Sequence, residues 1–281
     1  MFSALEFVRW ALTHVQKDSV PEGAALASSD ALCALDPWQY LFGSIMVKTT
    51  PANLDYFYNE HYADEMTRTE FDSVTANWSP NGYATDCQGL LDAWLTYEMD
   101  EPTDVNVNHN WLYWCTDKYR IDEISRPYLI GEAVFSANSA GRMTHVGWIC
   151  GSVLGEPLVV EARGIRYGVT ISRLSERSFT HRGLMTKLFE YDGGRAVEPI
   201  RLELKSPMIR GDAILALQFA LNGLGYTDAD GKPLTEDGKC GRRTLYAVDK
   251  FVEIQSGGTA VKFVLHSEDG EKVLRMIVEK P

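Results

Sequence analysis

Three apolar stretches follow one another closely, YLIGEAVFS (residues 128–136), MTHVGWICG (143–151) and PLVVEARG (157–164), with only ANSAGR and SVLGE between them. Short runs of alternating side chains bounded by turn-forming residues predict neighbouring antiparallel strands. Alternation puts Met143, His145, Gly147 and Ile149 on one face of the middle strand, and Thr144, Val146, Trp148 and Cys150 on the other. A return about residue 153 sets Glu161 directly opposite His145.

Ahead of these strands, TDCQGLLDAW (85–94) opens a run with Leu90, Leu91, Trp94 and Leu95 at helical spacing, with Cys87 at the first turn. A helix followed by a meander of strands predicts an α+β fold with its core where the helix packs on the sheet. A thiol at a helix start meets converging backbone N–H groups and the positive end of the dipole, which favours thiolate and makes a nucleophile. The plain alternative is a small buried hydrophobe. A thiolate nucleophile needs a base, and the base needs a group that fixes its tautomer. His145 is the histidine in the middle of a strand, and Glu161 opposite it supplies the acceptor; a structural histidine in a cross-strand ion pair is the competing reading.

Elsewhere the pattern predicts a helix over 1–17, an aromatic turn and edge at DPWQYLFGS (36–44), little periodicity from 45 to 84 apart from a short helix within PANLDYFYNEHYADEM, and another helical segment at NWLYWCTDKY. YGVTISRLSERSFTHRGLMTKLFEY adds a strand and closing segments up to about 192. DGGRAVEPIRLELKSP reads as a linker. Beyond it, RGDAILALQFALNGLGY is an amphipathic helix capped by Asp212 and ended by Gly225, GRRTLYAVDKFVEIQ is a second helix, and the last residues form two strands around EDG. The expected organisation is 1–192, a linker at 193–205, a helical domain at 206–257 and a β-hairpin at 258–281.

With 281 residues, 45% of them hydrophobic, the chain has material for a large domain and a smaller one. The formal charge of −12 divides unevenly: residues 197–281 hold 13 acidic and 12 basic side chains, leaving 26 and 15 in 1–196. No segment offers the basic face that phosphate binding needs, so nucleic acid is not an expected partner. The five cysteines (33, 87, 115, 150 and 240) include no CxxC, and HExxH is absent, so neither a disulfide framework nor a zinc site is expected. Glu6 and Arg9 interrupt the N-terminal apolar run, so neither a signal peptide nor membrane insertion is expected. Cys33, Cys115, Cys150 and Cys240 read as structural, and Trp38, Trp94, Trp111 and Trp148 as core.

DCQGLL, followed by THVGWICG and then VVEARG, resembles the NlpC family of papain-like bacterial and phage cell-wall peptidases, whose motifs read roughly D-C-S-G-L, H-V-G-I-Y-x-G and a polar residue in the next strand. The resemblance implies a papain-like catalytic domain with Cys87 as nucleophile, His145 as general base and Glu161 as third residue, a position the family usually fills with His, Asn or Gln. YLFGS (40–44) resembles the family's Y-x-x-G-G segment, which makes Tyr40 the candidate for a tyrosine contacting substrate, with Tyr83 its competitor and 45–84 an insertion. Asp86 and Gly147, from the same motifs, complete the expected substrate-binding set.

The stretch 208–251 is similar to the three-helix peptidoglycan-binding domain, with Gly211, Leu217, Gln218, Leu221, Gly225, Tyr226, Asp237, Gly238, Gly241 and Thr244 at matching positions and Cys240 where an aromatic is usual. Together the two resemblances imply a peptidoglycan hydrolase acting without metal or organic cofactor. The expected reaction is cleavage of the γ-D-glutamyl bond to the diamino acid of the stem peptide. The alternatives are an amidase cutting between muramic acid and L-alanine, or a catalytically silent wall-binding phage protein. The expected location is the cytoplasm until release to the wall, as for a phage or prophage endolysin.

Overall fold

The computed structural model describes residues 1–28, 30–34, 36–122, 127–153, 156–194, 196, 200–201, 210–255, 263–267, 270–274 and 278–279. The chain is α+β and separates into two compact units. Met1–Ile124, Tyr128–Gly151 and Pro157–Ala196 make the first; Ser125–Pro127, Ser152–Glu156 and Val197–Pro281 make the second.

A seven-stranded sheet dominates the first unit. Its strands run in the order Gly168–Arg173, Glu156–Gly164, Met143–Val153, Ala133–Ala137, His181–Leu184 and Asp117–Arg120, with Ala25–Leu26 as a further partner of Met143–Val153. Strand Met143–Val153 pairs antiparallel with Ala133–Ala137, setting Ser136 against His145, and Gly168–Arg173 pairs antiparallel with Glu156–Gly164, setting Thr170 against Glu161. The strand expected from Tyr128 begins only at Ala133, because Gly131 turns the chain at φ +82°.

Helix Ala4–Leu12 buries Ala4, Phe7, Val8, Ala11 and Leu12, a single apolar stripe. Its Ser3 hydroxyl accepts from the Glu6 N–H at 3.0 Å. It stops well short of residue 17: the Thr13 hydroxyl donates to the Trp10 carbonyl at 2.7 Å and the last N–H groups tighten onto Trp10 and Ala11. Phe7 joins this helix to the sheet and to the helical segment after Cys87, with its ring centroid 5.0 Å from Trp148 and 5.4 Å from Trp94. On the opposite face of the sheet Val134, Ile149, Val159, Leu174 and Phe179 form a second apolar cluster.

Residues 45–84 are more regular than their weak periodicity suggests. Helix Pro51–Phe57 continues into the π-helical turn Tyr58–Tyr62, and helix Arg68–Thr75 starts at a capping box of Thr67 and Glu70. Phe57, Tyr62 and Phe71 pack with Leu41 and Ala84 in their own cluster. The expected helix at NWLYWCTDKY splits: Asn110–Trp114 is a π-helical turn, Cys115 is extended, and Asp117–Arg120 pairs with His181–Leu184. Trp111 is half-buried against Phe135 and His181, whereas Trp38, Trp94 and Trp148 are core.

In the second unit, helices Asp212–Gly223 and Arg242–Gln255 enclose a cluster of Ile214, Leu217, Leu221, Cys240, Val248 and Phe251. The cap is Gly211, at φ 143°, and Asp212 is the first helical residue. Gln218 organises the turn between the helices: its amide accepts from the N–H groups of Asp237 and Gly238 at 3.1 and 2.8 Å and donates to the Thr244 hydroxyl at 3.2 Å. Cys240 occupies a wholly buried core position in place of the expected aromatic. Phe263–Ser267 and Gly270–Leu274 form an antiparallel pair. Most of the expected linker lies outside the described residues, and Ile200–Arg201 within it pairs in parallel with Val278–Glu279. No helix among the described residues is long and apolar enough to cross a membrane.

Candidate active site

Strand Tyr83–Thr85 delivers the chain to Asp86 and Cys87, and the helix begins at Gly89. Asp86 ties the turn down: its carboxylate accepts from the Gly89 N–H at 2.6 Å and from the Gly43 N–H at 3.0 Å. Gly89 has no substitute here, since a Cβ would lie 2.1 Å from the Ser44 carbonyl oxygen and 2.7 Å from the Thr85 hydroxyl. The turn rests on buried Gln88, Asp92 and Asn110. Gln88 donates to Asp92 at 2.6 Å and accepts from Asn110, while Asp92 accepts from the Val105 N–H at 2.9 Å. Burial raises the Asp92 acid to about 7 against those bonds.

The structure joins His145 to Glu161. The imidazole Nε2–H donates to Glu161 Oε2 at 2.6 Å, which leaves Nδ1 as the basic nitrogen. Glu161 is fully buried. Burial by itself would raise its acid, but the bonds from His145 and Arg177 outweigh burial and bring it down to about 2. Gly147 leaves room for that carboxylate: a Cβ there would lie 2.5 Å from Val159 Cγ1 and 3.1 Å from Glu161 Cβ.

Cys87 lies near the same strand one residue further on, where the backbone N–H of Val146 favours its thiolate. Among the described residues no hydrogen bond joins Cys87 to His145. The expected thiolate is not the resting form: burial, and then the charge of Asp86, push the thiol up to about 12 against the N–H groups of Val146, Gln88 and Cys87. The helix dipole loses because Cys87 is buried (6% exposed) beside the Asp86 carboxylate. Tyr40 lies within electrostatic reach of Cys87 and Asp86, and its phenol is raised, by burial first and then by those charges.

A cleft of about 780 Å³ opens at this point, lined by Phe42, Asp86, Cys87, Gln88, Asn106 and Met143 among others. Of the expected site residues Asp86 and Cys87 form its wall, whereas Tyr40, Tyr83, His145, Gly147 and Glu161 do not line it. Tyr83 pairs with Lys48 and packs toward Trp38, ring centroids 6.0 Å apart. Cys115, Cys150 and Cys240 are buried and free, and the Cys33 side chain lies outside the described residues. No group of three or more metal-ligating side chains occurs among the described residues.

Sequence reasoning missed Arg177 and Phe179. Arg177 grips Glu161 with both ends of its fork, Nε to Oε1 at 2.7 Å and a terminal nitrogen to Oε2 at 2.9 Å, and Phe179 stacks on the His145 ring at 5.8 Å between centroids. Their sequence signal is faint, an arginine and an aromatic two apart after a strand. No protein-family model matches this chain, and no curated protein matches it either.

Proposed function

We propose that this chain is a cysteine peptidase of the NlpC type with a papain-like first unit, cutting the stem peptide of bacterial peptidoglycan at the γ-D-glutamyl bond to the diamino acid. The observation that carries the reading is the 2.6 Å His145–Glu161 bond on a strand whose next N–H, that of Val146, is near enough to the Cys87 thiol to favour its thiolate. A base whose tautomer is fixed by a buried carboxylate, and a thiol in the wall of a cleft, are the parts that acyl transfer needs.

Because the resting thiol is protonated, attack and proton transfer run together. His145 Nδ1 takes the proton as Cys87 Sγ bonds to the scissile carbonyl carbon, and it returns the proton to the leaving amine as the C–N bond breaks. Water then adds to the thioester with His145 as base, releasing the carboxylic acid and the thiol. Backbone N–H groups at the start of the helix, including that of Cys87, hold the oxyanion. The second unit is read as the wall-binding module, supported by the Gln218, Asp237, Gly238 and Thr244 network at the positions of the resemblance. A role as a phage or prophage endolysin follows from the same reading.

Digesting purified walls with the full chain, and identifying the new N-termini by mass spectrometry, tests the proposal. A free diamino-acid amine is expected. A freed L-alanine amine with intact sugar would make the protein an amidase. The strongly raised Cys87 thiol favours a second reading, a silent wall-binding protein, for which no new terminus would appear.

A further inference from the structure

Arg177 and Phe179 belong to a short strap that crosses the His145–Glu161 pair. The strap follows the 3₁₀ turn Leu174–Glu176 and is pinned to the end of strand Ala133–Ala137, beside Ser136, the cross-strand neighbour of His145. The Ser136 hydroxyl donates to the Ser178 carbonyl at 3.0 Å. The Thr180 N–H donates to the Phe135 carbonyl at 2.8 Å, and the Ala137 N–H donates to the Thr180 hydroxyl at 3.2 Å. Held this way, the strap sets Phe179 nearly parallel to the imidazole, at 18°, and closes the Arg177 fork on both oxygens of a carboxylate with no exposure to solvent.

We propose that Arg177 is a positioning residue of this site: it locks the Glu161 carboxylate and offsets its charge, so that Glu161 orients His145 without holding the imidazole in its protonated form. The inference rests on the cysteine-peptidase reading and deepens it. A lone buried carboxylate against an imidazole stabilises the imidazolium, and an imidazolium cannot take the Cys87 proton at neutral pH. Paired with a guanidinium, the same carboxylate is close to a neutral acceptor, while the fork fixes both oxygens. Cys87 has no ionised form of its own to offer at rest, so a base that is free at neutral pH is what the site requires. Among the described residues the charged groups bonded into this pair are Glu161, from the neighbouring strand, and Arg177, from the strap; Asp86 acts on Cys87 from the turn before the helix. Ser136 and Thr170, across from His145 and Glu161, are uncharged.

The test is the pH titration of the His145 ring by NMR in the full chain, its signal assigned by loss in His145→Gln, together with the pH profile of kcat/KM on a soluble muropeptide. Arg177→Met should raise the His145 midpoint by about one pH unit and move the acid limb of the profile up equally. Glu161→Gln, which leaves Arg177 in place, should lower the midpoint, and the double variant should return it to the wild-type value. Arg177→Lys keeps the charge but not the fork, so it should leave the midpoint in place and lower kcat several-fold. A wild-type midpoint in folded Arg177→Met overturns the proposal. If that variant fails to fold, a midpoint raised in Arg177→Lys overturns it equally, because charge would then not be what acts. The titration reads no turnover: a wild-type chain that cuts no wall removes the peptidase reading, and with it the catalytic meaning of Arg177, whereas a wall-cutting chain with an unmoved midpoint removes Arg177 alone.

Discussion

At the scale of single residues, the decisive property of Cys87 is that it is buried and protonated at rest. Alkylation of the free protein by iodoacetamide should therefore be slow at pH 7 and should quicken about tenfold per pH unit well into the alkaline range, since only the thiolate reacts. A fast rate that is flat from pH 5 to 8 would show a preformed thiolate–imidazolium pair and defeat the concerted proton transfer. Cys87→Ala should abolish wall lysis. Ala at Cys115, Cys150 or Cys240 should leave activity in whatever fraction stays folded, because those sulfurs pack in cores. His145→Ala should cost about 10² to 10⁴ in rate, the usual contribution of a general base. Wild-type lysis by His145→Ala would remove His145 from the chemistry.

At the scale of elements, the nucleophile turn is built around Gly89 and braced by Asp92. A Cβ at Gly89 would collide with a backbone carbonyl, an atom that cannot swing aside, so Gly89→Ala should lower stability by about 1–3 kcal/mol, the range for overpacking. Thermal unfolding reads this directly, and an unchanged Tm would contradict the packing described. Asp92 carries a pH signature. Its acid is raised from 3.8 to about 7, so the folded chain keeps a proton that the unfolded chain releases, and this contribution to stability is present below pH 4 and lost as pH rises to about 7. Urea midpoints of Asp92→Asn across pH 4–8 should be flatter than those of wild type. Equal slopes would mean that Asp92 is ionised throughout.

At the scale of the whole molecule, each of the two units has a core of its own, one built on the sheet and one on the helix pair. A chain ending at Ala196 keeps every candidate catalytic residue and should turn over a soluble muropeptide. If the tail binds walls as proposed, that shortened chain should lyse whole walls far less well, because a bound tail raises the local concentration of an insoluble substrate. The near balance of charge in 197–281 suits contact with an anionic wall better than the acidic remainder does. If the fragment 197–281 stays in the supernatant over purified peptidoglycan while 1–196 sediments, targeting belongs to the first unit.

What the sequence determined by itself was local and periodic. Alternation in 143–151 and 157–164, with a return between them, was enough to bring His145 and Glu161 together, because a hairpin of known return dictates which side chains meet. Helical spacing likewise placed Leu90, Leu91 and Trp94 on a buried face, and Thr67 with Glu70 spelled a capping box that the weak periodicity of 45–84 concealed. Tertiary structure decided what depends on neighbours distant in the chain. The ionisation of Cys87 followed from the depth of its burial and the charge of Asp86, which no helix-start rule contains. Tyr83 was drawn to Trp38 and away from the cleft by the strand pairing of residues 39–40, 47–48 and 83–85. Arg177 reached Glu161 only because the strap after Glu176 is stitched to strand Ala133–Ala137, a contact between segments some 40 residues apart in sequence (Ser136 and Ser178). Periodicity reports which face a residue occupies, whereas burial, charge and hydrogen bonding at a site are sums over whatever else the fold brings there.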